Sequence, residues 1–243
     1  MFWSKILRFF SEDIAMDLGT ANTLLYTRDG GIIVNEPSVV AIDTRNNEVL
    51  AVGSEAKRAR GRTPKRIKTI RPMKSGVIAD FDTTSRMIVY FVNKAIGRSH
   101  LVKPSLVISV PTGITGVEKK AVIDAAATAG AGRVSLIEEP MAAAIGADLP
   151  VTEPVGTLIA DIGGGTSEVA VITMSAITVS QSIRIAGDAM NEILLRMLRD
   201  KYRLDVGENT AEHLKILLGS TQPVPDLPDY AEISGRDLVS GVP

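Results

Sequence analysis

Residues 161–166, Asp-Ile-Gly-Gly-Gly-Thr, place an aspartate and three consecutive glycines between two short apolar segments. The flanking segments, 155–160 and 169–172, have the length and the β-branched content of strands. Glycine has no Cβ, so the backbone between the strands can turn sharply and come close to a bound group. Successive N–H groups in such a turn form a concave site for an anion. The pattern predicts either a phosphate loop or a glycine hairpin without a ligand.

A second stretch of the same kind lies near the start of the chain. Residues 17–23, Asp-Leu-Gly-Thr-Ala-Asn-Thr, also lie between apolar segments. Aligned with residues 161–167, they share the aspartate, a branched apolar residue and a glycine, and a hydroxyl residue ends each stretch. The repetition predicts an internal duplication, in which two domains each contribute a phosphate loop to a nucleotide cleft. Asp161, at the end of its strand, is a natural partner for the Mg²⁺ that accompanies a triphosphate.

Composition excludes several other kinds of site. The chain of 243 residues contains no cysteine, which excludes disulfides and thiolate metal sites. His100 and His213 are its only histidines, so a histidine-rich zinc site is a poor fit. Lys and Arg number 27 against 28 Asp and Glu, so the overall charge indicates no polyanionic partner. A basic stretch at 57–74 lacks the aromatic residues that stack on bases, which favours a solvated or partner-facing surface over nucleic acid.

The first eleven residues form an amphipathic pattern at helical spacing. Ser4, Lys5, Arg8 and Ser11 fall on the polar side. The apolar side consists of Phe2, Trp3, Ile6, Leu7, Phe9 and Phe10. A basic helix with an aromatic face is suited to the plane of an anionic membrane. A terminal helix packed on its own domain and a signal peptide are the alternatives, although the apolar part is short and no cleavage site follows.

Strand and helix patterns alternate along most of the sequence. Residues 105–110 form an apolar run that ends at a proline, and residues 115–118 have the spacing of a capping box that opens a helix. A strand at 134–137 and an alanine-rich helix at 141–147 follow. Residues 83–96 predict a helix with one apolar face, formed by Met87, Ile88, Phe91, Val92, Ala95 and Ile96. The helix that begins near Gly187 carries an apolar stripe of the same spacing, formed by Met190, Ile193, Leu194, Met197 and Leu198. Such alternation predicts α/β domains.

These motifs together resemble those of the actin-like ATPases, and most closely those of the MreB family. Residues 17–23 and 161–166 are similar to the first and second phosphate motifs of that family. Residues 138–147, Glu-Glu-Pro-Met-Ala-Ala-Ala-Ile-Gly-Ala, resemble the helix that connects its two domains. Residues 35–40 and 78–81 also match. Sugar kinases and heat-shock chaperones share single loops, whereas the combination is specific.

The resemblance implies an α/β, actin-like (ribonuclease H-like) fold of duplicated domains with a nucleotide cleft between them. The expected divisions are a membrane-targeting segment at 1–12, a first domain at 13–147 with a small inserted subdomain at about 34–75, and a second domain at 148–243. Family members continue for roughly another hundred residues with a glycine-rich adenosine loop, so the second domain is expected to be incomplete and the sequence to be truncated at its C-terminus.

The resemblance also implies ATP and Mg²⁺ as ligands. The phosphate contacts it implies are Thr20, Ala21, Asn22, Gly163, Gly164, Gly165 and Thr166. Nucleoside contacts are implied at Glu212, His213, Leu214 and Lys215. Asp17 and Asp161 would hold the metal through water, and Glu139 would orient the attacking water with help from Thr166.

A cytoskeletal ATPase is the function that the resemblance implies. Such a protein forms filaments at the inner face of the cytoplasmic membrane, and with cell-wall synthesis and shape proteins these filaments guide wall growth and rod shape. No nucleic-acid partner is expected. A small-molecule kinase would need a substrate pocket and gives the membrane-type segment no role. A chaperone-like nucleotide switch would need a substrate-binding domain, for which the sequence has no segment.

Deletion of residues 2–10 tests the membrane assignment. Each large side chain that becomes fully buried in the interface contributes about 1.5–3 kcal/mol, and Lys5 and Arg8 add roughly 1 kcal/mol each on an anionic surface. We expect the deletion to abolish co-sedimentation with anionic liposomes and to leave the circular dichroism spectrum of the folded part unchanged. Equal pelleting of the deleted and intact proteins would exclude this role.

Overall fold

The computed structural model describes residues 13–59, 66–96, 103–225, 227–228 and 230–242. The predicted membrane-targeting segment at 1–12 lies outside the described residues, as do Arg60, Arg62 and Lys65 of the basic stretch. No helix within the described ranges is long and apolar enough to cross a membrane.

Strands and short helices alternate through the described part of the protein. The strands are β1 (Asp13–Leu18), β2 (Asn22–Thr27), β3 (Gly31–Pro37), β4 (Val40–Asp43), β5 (Val49–Val52), β6 (Ile67–Ile70), β7 (Met73–Lys74), β8 (Val77–Ile78), β9 (Ser105–Val110), β10 (Arg133–Glu138), β11 (Thr157–Ile162), β12 (Ser167–Thr173), β13 (Ala176–Ile183), β14 (Leu204–Asp205) and β15 (Arg236–Asp237). The helices are α1 (Ser54–Ala59), α2 (Phe81–Ile96), α3 (Gly116–Thr128), α4 (Glu139–Gly146), α5 (Gly187–Tyr202) and α6 (Glu208–Leu218).

A sheet in the order β10-β9-β1-β2-β3 carries the first phosphate motif. In this sheet β2 is antiparallel to both β1 and β3, whereas β9 and β10 run parallel to β1. Alternate side chains of β1 are buried, as expected of a strand with one face on a core. The core includes Ile14, Leu25, Phe91 and Ile108, so it joins strands of this sheet to α2. It supports the end of β1, where Asp17 lies.

The strand pattern of the first motif recurs around the second. Strands β11, β12 and β13 form an antiparallel sheet in sequence order, as β1, β2 and β3 do. Asp17 and Asp161 are each the fifth residue of the first strand of their sheet. The structure therefore repeats the strand–turn–strand unit that the sequence predicted.

A small sheet in the order β5-β4-β6, with α1 beside it, lies within the range expected for an inserted subdomain. It has its own cluster of buried residues, Val39, Ala41 and Ala56. The protein forms two compact units, 1–184 and 185–243. Both phosphate motifs lie in the first unit. The predicted domain boundary between residues 147 and 148 does not coincide with the boundary between these units, and it stays a prediction.

Local signals explain where the helices begin. The capping box before α3 is present, since the Thr115 side chain accepts the Glu118 N–H and the Glu118 carboxylate accepts the Thr115 N–H. Helix α2 begins two residues before its predicted start at Thr83, because Asp80 Oδ1 accepts the Thr83 N–H at 2.9 Å. In α4 the helix includes Glu139, with Pro140 in the first turn, where a missing N–H costs nothing.

The apolar stripe on α5 behaves differently from that on α2. Met87 and Phe91 of α2 are fully buried. On α5 Leu198 is buried, whereas Met190, Ile193 and Met197 are 43–62% exposed. The same helical spacing of apolar residues therefore predicts an apolar face on each helix. It does not predict whether other residues pack against that face.

Truncation of Phe91 tests the core of the first unit. Phe91 is fully buried, so Phe91→Ala should lower the free energy of unfolding by about 3–5 kcal/mol. Tyr90 packs edge-on against it with ring centroids 5.7 Å apart and is 38% exposed, which makes Tyr90→Ala the matched control with a much smaller loss. Urea denaturation measures both. Equal losses would show that Phe91 is not a core residue.

Candidate functional site

Ser38 fixes the first phosphate loop, residues 19–21 between β1 and β2. Its N–H donates to the Ala21 carbonyl at 2.9 Å, and its hydroxyl donates to the Gly19 carbonyl at 2.6 Å. Because Ser38 is fully buried, both bonds are shielded from competing water. Ser38, which lies outside the loop, thus donates hydrogen bonds to two carbonyl groups of the loop.

The second phosphate loop, residues 163–166, closes with a bond from the Gly163 N–H to the Thr166 carbonyl at 2.9 Å. Its tip meets the first loop. A Cβ on Gly164 would lie 2.6 Å from the Ala21 Cβ, and one on Gly165 would lie 2.5 Å from the Thr20 hydroxyl. Any side chain would push the loops apart, so the glycines are required for this approach. The two predicted loops are therefore neighbours.

The turn between β7 and β8 contacts both loops, and the motif analysis did not single it out. The Gly76 N–H donates to the Thr20 hydroxyl at 2.8 Å. A Cβ on Gly165 would also lie 2.9 Å from Ser75 Cα, so this turn borders the second loop as well. Its sequence, Lys-Ser-Gly, has the residues of a tight turn, which is the one signal that could have drawn attention to it.

Asp17 faces the cleft beside the first loop. Ser109 on β9 donates its hydroxyl to Asp17 Oδ1 at 2.9 Å, and the two residues are register partners in the parallel pair β1–β9. The side chain is accessible to solvent in the cleft, yet the surrounding walls reduce its hydration. This desolvation raises the pKa of Asp17, the Ser109 hydrogen bond lowers it, and repulsion from Asp161 raises it further.

Glu139 at the start of α4 is the most strongly perturbed acid of the site. Partial burial raises its pKa to about 8, and repulsion from Asp17, Glu168 and Asp161 adds to that effect. All four carboxyl groups are therefore close enough to interact. Perturbed acids in a cleft are typical of functional sites.

Glu168 is a member of this group that the motif analysis missed. It lies on β12 opposite Asp161 on β11, and it is only 1% exposed. Both of its carboxylate oxygens accept the Thr112 N–H, at 3.1 and 3.2 Å. The alternation of inward and outward residues along β12 is the one signal from which the inward position of Glu168 could have been noticed.

A cavity of about 900 Å³ is lined by the two loops and by three of the four carboxylates. Asp17, Glu139, Asp161 and both loops line one part of it. Apolar residues such as Val107 and Ile145 line another part. Polar groups converging in a large concave space are what a small-molecule site requires.

Direct chelation of a metal is not what this site offers. Among the residues that the structure describes, no three His, Cys, Asp or Glu side chains form a group that could hold an ion. Two carboxylates, Asp17 and Asp161, interact across the cleft. Mg²⁺ binds commonly through one or two carboxylates, keeps several waters and takes substrate phosphates as further ligands, so this donor set fits it.

The residues expected to bind the nucleoside lie in the second unit, on α6. Lys215 Nζ donates to Glu212 Oε2 at 2.7 Å and to the Gly187 carbonyl at 3.2 Å. Buried Asn191 donates to the same carboxylate oxygen at 2.6 Å. Leu214 is buried and His213 is exposed. The polar pair is thus held in a fixed arrangement across α5 and α6.

Comparison with known proteins gives consistent matches. Residues 11–243 match the family described as MreB/Mbl protein. The protein is 47% identical over 244 residues to the cell shape-determining protein MreB of Escherichia coli (strain K12), covering 98% of this sequence and 70% of that protein.

Solved structures match along nearly the same length. The crystal structure of MreB5 of Spiroplasma citri bound to ADP has a TM-score of 0.88 and 34% identity, covering 96% of this protein and 69% of that one. A double helical filament of MamK, at 21% identity, a TM-score of 0.75 and coverage of 96% and 71%, shares the fold. The expected actin-like fold is confirmed.

The raised pKa of Glu139 predicts a pH-dependent stability. Between pH 4.5 and about 8 the carboxyl is protonated in the folded protein and ionised in the unfolded protein, so the free energy of unfolding falls as pH rises. Glu139→Gln removes this loss. Its gain over wild type should be absent below pH 4.5, grow by up to about 1.4 kcal/mol per pH unit, and level off above about pH 8.

Urea denaturation of the nucleotide-free proteins across that pH range measures the gain. Glu138→Gln is the matched control, because Glu138 precedes Glu139 and makes no side-chain capping bond. A pH-independent difference between Glu139→Gln and wild type would contradict the assignment.

Proposed function

The protein belongs to the MreB/Mbl family, and we propose that it is an ATP-binding and ATP-hydrolysing cytoskeletal protein that assembles into filaments and acts in cell shape. The relative in Escherichia coli is named for cell-shape determination, and the MreB5 relative binds ADP in its crystal. The observation that carries the proposal is the contact of two glycine-containing loops above a group of carboxylates in one large cavity.

The two loops would bind the phosphates. Thr20, Ala21 and Asn22 on one side and Gly163 to Thr166 on the other line the cavity, and backbone N–H groups and hydroxyls of these residues would contact the phosphates. Such groups bind anions without adding a charge that would have to be neutralised in the free protein. Thr20 and Thr166 are buried and held by neighbouring backbone, so both loops are organised before a nucleotide arrives.

Mg²⁺ would be held by Asp17 and Asp161 through water. The repulsion between these carboxylates favours a cation beside them. A bound magnesium ion would supply neutralisation of the phosphate oxygens. Ser109 keeps Asp17 turned toward the cleft by its hydrogen bond.

Glu139 would orient and deprotonate the attacking water, with Thr166 as a second hydrogen-bonding group. Phosphoryl transfer depends mainly on positioning and charge stabilisation, so a fixed acceptor beside the phosphates is the main contribution expected of a side chain. A pKa raised to about 8 makes the ionised Glu139 carboxylate a stronger base than an ordinary glutamate, and a cation held beside it would favour that ionised form. Pro140 fixes the backbone directly after it.

Glu212 and Lys215, with His213 and Leu214 between them, would bind the nucleoside. The hydrogen bonds among Asn191, Glu212 and Lys215 keep the carboxylate and ammonium in one orientation. This assignment rests on the family resemblance of residues 211–215.

A small-molecule kinase or a chaperone-like switch is not favoured, because the family match covers residues 11–243 and the relative carries a cell-shape name. Association with the inner membrane surface through residues 2–10, and action with cell-wall synthesis proteins, are further parts of the proposal. In this proposal the working protein acts at the cytoplasmic face of the membrane.

Sedimentation with and without ATP tests assembly, since a polymer pellets and a kinase does not. ATP-dependent pelleting that is lost with ADP is the expected result. A protein that binds ATP and stays in the supernatant at every concentration would contradict filament formation.

Two substitutions separate water positioning from metal binding. Glu139→Ala should keep ATP affinity and filament formation and lower phosphate release by about 10²-fold or more, as expected for loss of a general base. Asp161→Ala should instead lose Mg²⁺-dependent ATP binding, because it removes a metal partner. Calorimetry and phosphate release, normalised to folded protein, measure both.

Glu138→Ala is the control for helix stability at the same place. If Glu139 only supports the start of α4, then Glu139→Ala would lower stability and leave turnover per folded molecule unchanged. Normal turnover in that variant would remove Glu139 from the mechanism.

A further inference from the structure

Glu168 is a buried carboxylate that the proposed mechanism does not use. It is 1% exposed, and in the described part of the protein its recorded hydrogen bonds all come from the Thr112 N–H. No Lys, Arg or His within the described ranges forms an ion pair with it. Burying a carboxylate without a cation is costly, and a carboxylate directly across the strand pair, Asp161, adds to the cost. An apolar residue would be the cheaper choice if packing alone mattered.

The Glu168–Thr112 contact joins the two sheets directly behind the phosphate loops. Glu168 lies on β12, two residues after Thr166 of the second loop. Thr112 lies two residues after β9, the strand whose Ser109 holds Asp17 beside the first loop. The short segment 109–112 therefore makes one polar contact beside the first loop, to Asp17, and one after the second loop, to Glu168.

The contact uses the backbone of Thr112 and leaves its hydroxyl out. Thr112 Oγ1 is buried and has no hydrogen-bond partner among the described residues. The polar contact between the segment after β9 and β12 thus consists of one N–H group and one carboxylate. A hydrogen bond from a main-chain donor near the end of a strand is well suited to fix position, because its donor cannot rotate away.

We propose that Glu168 is a positioning residue for ATP hydrolysis: by accepting the Thr112 N–H it holds the second phosphate loop, with Thr166, in register with the Asp17 side of the cleft. The proposal rests on the proposed function and names a residue that acts through Thr166 without touching the nucleotide. Loss of the contact lets the loop shift, which lowers turnover more than it lowers ATP affinity.

Glu168→Gln and Glu168→Met form a matched pair for this test. Both side chains are uncharged, unbranched and close to glutamate in volume. Glutamine keeps an oxygen that accepts the Thr112 N–H, whereas methionine does not. Both remove the Glu168 charge that acts on Glu139, so that effect cancels between them. Thr112→Val is the control, since it removes the unpaired hydroxyl and keeps the N–H.

Two measurements are made on each full-length variant. Hydrogen exchange of the amides in residues 163–167, without nucleotide, reports whether the loop is held. Steady-state phosphate release gives kcat and KM separately. Relative to Glu168→Gln, Glu168→Met should exchange about threefold to tenfold faster and show a kcat lower by about the same factor, the range expected for one net hydrogen bond. KM should change less, and Thr112→Val should match wild type in both measurements.

The proposal is overturned if methionine and glutamine behave alike, because the accepted hydrogen bond would then have no effect. It is also overturned if exchange rises in Glu168→Met while kcat stays equal, since Glu168 would then be structural only, or if Thr112→Val is as impaired as Glu168→Met. A wild-type protein that releases no phosphate would refute ATP hydrolysis as the function. The exchange comparison would then decide by itself whether Glu168 holds the loop.

Discussion

The close approach of two backbone turns is the constraint on which the rest of the site depends. Gly164 and Gly165 lie against Ala21 and Thr20 with no room for a Cβ, so each loop limits where the other can be. The approach requires both strand–turn–strand units to be supported from behind. Ser38 supports the first, and the first unit's core fixes the strand that leads into it. A single side chain added at the tip would separate the loops and open the cavity that they enclose.

The carboxylates in this cavity form an electrostatic arrangement that is costly without a cation. Desolvation and repulsion from neighbouring carboxylates raise the pKa values of Asp17 and Glu139; Asp161 acts on both groups, and Asp17 and Glu168 also act on Glu139. Folding tolerates this because strand register and the start of α4 hold the groups in position. The high pKa of Glu139 is the direct result: the group is protonated at neutral pH without a cation nearby, and its ionised form is a stronger base than that of an ordinary glutamate. The same surroundings therefore lower the stability of the nucleotide-free protein and make the Glu139 carboxylate a stronger base.

Polar contacts between backbone and side-chain groups connect the parts of this site. The Gly76 N–H reaches Thr20, the Ser109 hydroxyl reaches Asp17, and the Thr112 N–H reaches Glu168. The first contact joins the turn between β7 and β8 to the first loop, the second joins β9 to β1, and the third joins the segment after β9 to β12.

Local patterns in the sequence predicted the strand–turn–strand units, the capping box at Thr115 and the α/β character, because each depends on residues close together in the sequence. Asp161 was predicted as a metal partner from its place at the end of a strand, and the family resemblance added Asp17 and Glu139 to the predicted site. The contacts of Ser109, Thr112 and Glu168 could not be predicted, even though the inward position of Glu168 could have been noticed, because they join segments 56 or more residues apart. Tertiary structure also decided which apolar stripe is buried, since Phe91 and Met197 have similar local patterns and differ only in what packs against them. Spacing along a sequence determines which face a residue occupies, whereas burial and pKa depend on neighbours that only folding brings together.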